Sequence, residues 1–259
     1  MNHYLNTPFN LTNRSALVTG GSRGLGLEMA RILAQAGADV AICSRNRSEI
    51  EATATKLAAE TGARVEALVA DVAKRPEAEQ LAKDAIARLG KVDIFISNAG
   101  WNVPQAVDKI IDKDWDSLME LNVTSSMVLS RALAPGMMQR RWGRMIYISS
   151  IMALASTPDR VAYSTTKAAL HGMVKANALH LGPHGITVNC IAPGPFATEM
   201  PMSILSKEQQ DKLAGRTCLN RWGQPVELAP GALLLASDAG RYITGSVLLI
   251  DGGAMARMW

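Results

Sequence analysis

The chain has 259 residues, 48 % hydrophobic and 19 % charged, which excludes a disordered or low-complexity protein and allows a sizeable buried core. Net charge is +4 with the basic residues scattered, so nothing in the pattern favours a nucleic-acid surface. No uninterrupted apolar run approaches the roughly 20 residues of a membrane span, and the polar stretch Met1 to Asn13 lacks the apolar centre of a signal peptide.

The first apolar run, Ser15–Thr19, reads as a buried parallel strand. It runs directly into Thr19-Gly20-Gly21-Ser22-Arg23-Gly24-Leu25-Gly26, and helical spacing follows over Leu25–Ala36. Glycines let the backbone turn tightly and approach a pyrophosphate without Cβ clashes, and a helix N-terminus offers that anion free N–H groups and a positive dipole. A Gly-rich turn without a ligand is the plainer alternative; its place between a strand and a helix favours nucleotide binding. Further strands are expected at Val40–Ser44, Val65–Ala70, Val92–Ser97, Arg144–Ser149, Thr187–Ala192 and Val247–Ile250. Helices are expected between them at Arg47–Thr61, Glu77–Leu89, Asp114–Met138 and Val161–Leu181. This alternation predicts an α/β fold: a Rossmann-type doubly wound parallel sheet of about seven strands, with helices on both faces. With no linker, repeat or low-complexity stretch, residues 1–259 are expected to form a single nucleotide-binding domain. Cys43 and Cys190 fall in strand-like stretches, and with Cys218 they are odd in number and widely spaced. No Cys/His cluster has metal-ligand spacing, so no metal is expected, and the chain reads as a cytoplasmic protein of a reducing compartment.

The end of the second strand bears on which nucleotide binds. Folds that use NAD usually carry an acid there for the ribose 2′-hydroxyl. This chain has Ile42-Cys43-Ser44-Arg45, with no acid at the tip. Arg45 and Arg23 can converge on a 2′-phosphate, with Ser44 adding a hydroxyl, which points to NADP(H); surface arginines without a ligand are the alternative. Tyr163 and Lys167 stand four apart on a predicted helix, one turn from each other on the same face. A lysine cation beside a phenol favours the phenolate and lowers its pKa, so the phenol can exchange a proton with a carbonyl or alcohol. Taken alone, such a pair is more often a partly exposed surface pair.

The ordered set Thr19 to Gly26, Asp71-Val72, Asn98-Ala99-Gly100, Asn122-Val123, Ser149-Ser150, Tyr163 with Lys167, and Pro193-Gly194 with Thr198 resembles the short-chain dehydrogenase/reductase family along nearly the whole chain. The resemblance implies hydride transfer between the nicotinamide and a substrate carbon, with Tyr163 handling the proton. It implies that Ser150, thirteen residues before Tyr163, polarises the carbonyl, with neighbouring Ser149 as the alternative. Lys167 is implied to lower the phenol pKa and bind the nicotinamide ribose, and Asn122 to hold a relay water, with a helix-kinking amide as its alternative. Gly20, Ser22, Gly24, Leu25 and Gly26 are implied to cradle the phosphates. Asp71 and Val72 would frame the adenine, and Asn98, Ala99 and Gly100 would let the cofactor lie against the backbone. Pro193, Gly194 and Thr198 would shape the nicotinamide pocket, Thr198 holding the carboxamide. Trp101, Met152, Arg160 and Phe196 are candidates to face the substrate, and Asn102 stands beside them. The stretch Thr198–Arg216 is expected to form a mobile lid. Three stretches (Lys113 to Asp116, Pro193 to Met200, Asn220 to Leu228) are similar to the gluconate 5-dehydrogenase branch, where a sugar acid would suit the cation Arg160. A 3-oxoacyl thioester reductase, a reductase of a hydrophobic ketone and a non-enzymatic NADP(H) sensor stay open as alternatives. The resemblance also implies a homotetramer, with the tail Met255 to Trp259 either closing a neighbouring subunit's pocket or packing at an interface.

Overall fold

The structure, a computed structural model, describes residues 8–256. Seven strands make one parallel sheet: β1 (Ser15–Thr19), β2 (Asp39–Ser44), β3 (Val65–Val69), β4 (Ile94–Ser97), β5 (Gly143–Ile148), β6 (Ile186–Pro193) and β7 (Val247–Ile250), in spatial order β3-β2-β1-β4-β5-β6-β7. Strand order reverses between β1 and β4, which pair through Val18 and Ile96. That reversal opens the crevice where ligands of open α/β sheets bind.

The helices are α1 (Gly24–Gln35), α2 (Arg47–Thr61), α3 (Arg75–Leu89), α4 (Asp112–Met119), α5 (Ser125–Arg140), α6 (Val161–Leu181), α7 (Glu199–Ile204), α8 (Lys207–Ala214) and α9 (Pro225–Ala236). Side chains alternate across the sheet with the strand's period of two. Leu17, Phe95 and Tyr147 join the core on one face, and their neighbours Val18, Ile96 and Ile148 join the core on the other. Local signals set helix ends. Asn46 caps α2 through its side chain, and Gly62 closes it at φ 71°.

Three features depart from the sequence reading. The expected helix over Asp114–Met138 is interrupted by a π-helical turn at Glu120–Thr124. Helix α9 lies in a stretch to which the sequence reading assigns no element, and it contains Pro230 and Gly231. Gly231 has a packing reason: a Cβ there would come within 2.4 Å of Ile250 Cδ1. β3 and β7 are edge strands, and Val69 and Leu249 are exposed where buried strands were expected. The segment expected to form a lid carries α7 and α8. Of the C-terminal tail singled out above, residues 257–259 lie outside the described residues.

Candidate active site

The glycine turn is rigidly built. Gly20 and Gly24 take φ of +64° and +58°, and a Cβ at Gly26 would lie 2.1 Å from Gly20 O, so that position admits only glycine. Thr19 Oγ1 accepts the N–H groups of Asn98 (3.1 Å) and Ala99 (3.2 Å). Asn98 Nδ2 donates back to Thr19 O and Gly20 O, each at 3.0 Å. Asn98 therefore holds the end of β4 to the turn, its side-chain Nδ2 donating to two backbone carbonyls. Thr19, which opens the glycine motif in the sequence, is its counterpart, a role in holding β4 that the motif alone does not give. Helix α1 opens without a side-chain cap and with no acid in its first turn. Its free N–H groups and dipole fit the pyrophosphate of a dinucleotide.

The two arginines expected at a 2′-phosphate differ. Arg45 is exposed and has no side-chain partner among the described residues. Arg23 donates to Glu199 at 3.0 Å and stands 4.0 Å from Glu49. Ser44 donates to Asn46 O at 3.3 Å. Ser22 and Leu25 stand in the turn and on the first turn of α1, the Ser22 carbonyl accepting from Thr53 Oγ1. Asp71 accepts from Ala73 N at 3.2 Å, while the Val72 side chain lies in the core and leaves only its main chain to the site. Gly194 packs on the chain after β7, where a Cβ would come within 2.6 Å of Asp251 Cα. Thr198 sits beside Gly24 of the turn, and Pro193 closes β6.

Beside this cradle, β5 delivers Ser149 and Ser150, and α6 delivers Tyr163 and Lys167. Ser149 Oγ contacts Lys167 O (3.0 Å) and His171 Nε2 (2.9 Å), so it serves α6. Ser150 Oγ accepts from Met152 N at 3.1 Å, and its hydroxyl lies close enough to the Tyr163 phenol to lower the phenol pKa. Lys167 is buried, donates to Ile148 O at 2.8 Å, and stands 5.6 Å from the centroid of the Tyr163 ring. Burial pushes its ammonium down to about 8. Burial raises the phenol pKa, and the Ser150 hydroxyl and the Arg160 charge oppose the rise.

Asn122 is held in the π-helical turn. Its Oδ1 accepts Trp101 N (2.9 Å), and its Nδ2 donates to Trp101 O (2.9 Å) and Thr166 Oγ1 (3.0 Å). Both amide N–H groups are used, so the expected relay water cannot be held by those donors. Gly100 makes the approach possible, since its Cβ would lie 3.2 Å from Asn122 Oδ1 and 3.3 Å from Lys167 Nζ. Ala99 packs against the core beside it.

On the substrate side, Trp101 is half exposed and Met152 partly buried. Arg160 follows Asp159, a non-glycine at φ 64° whose carbonyl accepts Gln105 N at 3.0 Å. The Arg160 Nη1 is buried with no hydrogen-bond partner, as is Asn102 Oδ1. Phe196 corrects the sequence reading. Its ring is 7 % exposed and packs in the core, where a Cβ on Gly223 would lie 2.7 Å from it, so it does not face a substrate. Cys43 and Cys190 are buried, and burial pushes both thiols up to about 12. Among the described residues no group of three or more His, Cys, Asp or Glu could hold a metal, and no helix is long and apolar enough to cross a membrane.

The family described as enoyl-(acyl carrier protein) reductase matches residues 20–255. The chain is 37 % identical to the gluconate 5-dehydrogenase of Gluconobacter oxydans over 95 % of its own length and 96 % of the relative's. It is 36 % identical to the 3-oxoacyl-[acyl-carrier-protein] reductase of Chlamydia trachomatis, covering 94 % and 98 %. Its fold is similar to that of the gluconate 5-dehydrogenase from Burkholderia cenocepacia in complex with NADP and tartrate, with TM-score 0.93, 33 % identity, and coverage of 98 % and 100 %. A strand-to-helix glycine turn, a serine and a tyrosine in contact, a buried lysine one turn on, and these matches lead to one conclusion: the chain belongs to the short-chain dehydrogenase/reductase family and is an oxidoreductase acting between CH–OH and C=O groups.

Proposed function

We propose that the enzyme interconverts a secondary alcohol and a ketone on a sugar acid, with NADP(H) as cofactor. The observation that carries the substrate class is Arg160, whose buried, unpartnered Nη1 stands close enough to Tyr163 for its charge to lower the phenol pKa. A buried guanidinium nitrogen without a partner is costly, and a substrate carboxylate satisfies it. The NADP-bound gluconate 5-dehydrogenase fold and the unpaired Arg45 support the phosphorylated cofactor.

When bound, the nicotinamide supplies or accepts the hydride. The residues of the chain do the rest. Arg160 anchors the carboxylate, Ser150 donates to the substrate oxygen, and Tyr163 Oη delivers the proton that oxygen needs on reduction. Lys167, anchored on Ile148 O, lines the same crevice with Gly100 and Asn122. A phenolate left behind in this buried site is stabilised by the Arg160 charge and the Ser150 hydroxyl, the two groups that pull its pKa down.

The 3-oxoacyl thioester reductase reading is favoured by exposed apolar side chains near the same crevice, Trp101 and Leu154. NADPH consumption with 5-ketogluconate, acetoacetyl thioester and a plain cyclic ketone separates the readings. A fast rate confined to the keto sugar acid is expected. Arg160→Ala should raise KM for keto acids by about tenfold or more and leave neutral ketones unchanged. An equal effect on both would remove Arg160 as the anchor. Residues 1–259 are proposed to act as one domain assembled into a homotetramer, using exposed Val226 on α9 and Leu249 on β7. Light scattering in solution tests the assembly. Three cysteines without a disulfide suit action in the cytoplasm.

A further inference from the structure

At the opposite end of the sheet lies an open cavity of about 730 Å³, lined by Arg14, Trp142, Arg144, Thr187, Asp238, Arg241 and Tyr242, among others. The strands are parallel, so the catalytic side chains gather at their carboxyl ends and this cavity at their amino ends. A strand's length separates the two, about 20 Å at about 3.3 Å per residue. We propose that this cavity is a second binding site, which takes the carboxylate or phosphate of a small organic anion between Arg14, Arg144 and Arg241.

The charge balance of the lining is the first reason. Three guanidinium groups face one carboxylate, Asp238, and Arg144 already pairs with it at 3.0 Å. Arg14 and Arg241 have no side-chain hydrogen bond or carboxylate partner among the described residues. Arg14 and Arg144 both lie over the Trp142 indole, 3.7 and 4.2 Å from its centroid. The ring holds two like charges close together, an arrangement that an oxyanion between them relieves. Burial, with a smaller push from the neighbouring Arg14 charge, lowers the Arg144 pKa even though Asp238 opposes the shift.

The second reason is independent of charge. Thr187, one of the residues lining this cavity, is only 6 % exposed, and its buried Oγ1 has no hydrogen-bond partner. A buried hydroxyl is seldom left unpaired, and an anion oxygen completes it. Tyr242, fully exposed at the rim, offers a flat apolar face to the carbon part of the ligand, which a bare inorganic ion would not use.

Isothermal titration of the NADP⁺-saturated protein with citrate and, separately, with inorganic phosphate tests this site. Saturable heat with citrate is expected for a carboxylate ligand, and with phosphate for a phosphoryl ligand. Arg14→Gln, Arg241→Gln and the isosteric Thr187→Val should each weaken binding, the arginine variants by about tenfold, while NADPH turnover stays unchanged. Arg160→Ala should leave the heat unaltered, which separates this site from the catalytic pocket. No saturable heat with either probe, or equal affinity in all the variants, would overturn the proposal. So would a change in oligomeric mass on Tyr242→Ala, which would assign the cavity to a second copy of the chain.

Discussion

Lys167 shows how burial and chemistry meet in a single side chain. Its folded ammonium titrates near about 8, whereas an unfolded lysine titrates near about 10.4. Between those values the unfolded chain binds one proton more, so the cost of burying the ammonium, present in full below the window, is relieved as pH rises through it. Urea unfolding of wild type and Lys167→Met at pH 7.5 and 9.5 checks the sign: wild type should gain stability relative to the variant, and parallel pH responses would refute it. The residues that carry this chemistry were legible in the sequence because their types and intervals are demanding: a tyrosine and a lysine one turn apart, a serine pair before them. Their electrostatics were not. The groups that act on the phenol, Ser150 and Arg160, reach it through the fold, and spacing along the chain cannot rank them against Lys167. Phe196 misled for a related reason. An aromatic in a glycine- and proline-rich loop suggests a pocket wall, but Gly223, a distant residue, opens the space that buries it.

At the scale of elements, the strands were readable because a parallel strand covered on both faces is a continuous apolar run. The π-helical turn was not, since what stabilises it is tertiary: the Asn122 amide gripping both main-chain groups of Trp101 and the Thr166 hydroxyl. Helix α7 also acts through a remote partner. Its Glu199 holds Arg23 at the end of the glycine turn. On the proposal that Arg23 binds a 2′-phosphate, Glu199 would compete for the same guanidinium. Glu199→Gln should tighten NADP⁺ binding by about two- to fivefold, the range of an exposed ion pair, and leave NAD⁺ binding unaltered. Fluorescence titration of both nucleotides measures the difference, and equal shifts would detach Arg23 from the phosphate.

The whole molecule depends on two apolar layers kept in register by one sheet. Phe95, at the centre of β4, is fully buried and meets Tyr147 edge-on at 6.4 Å. Phe95→Ala should cost about 3–5 kcal/mol in denaturant unfolding, because the strand at the switch point has packed neighbours on every side and cannot collapse into the void. A loss below about 1 kcal/mol would mean that the layer tolerates repacking. The clasp between Asn122 and Trp101 has a consequence for how such an enzyme diversifies. The indole is free to be replaced, while the main chain beneath it is fastened to the turn that also borders Lys167. Exchange of the Trp101 side chain would therefore leave intact the main-chain grip of Asn122 beside Lys167.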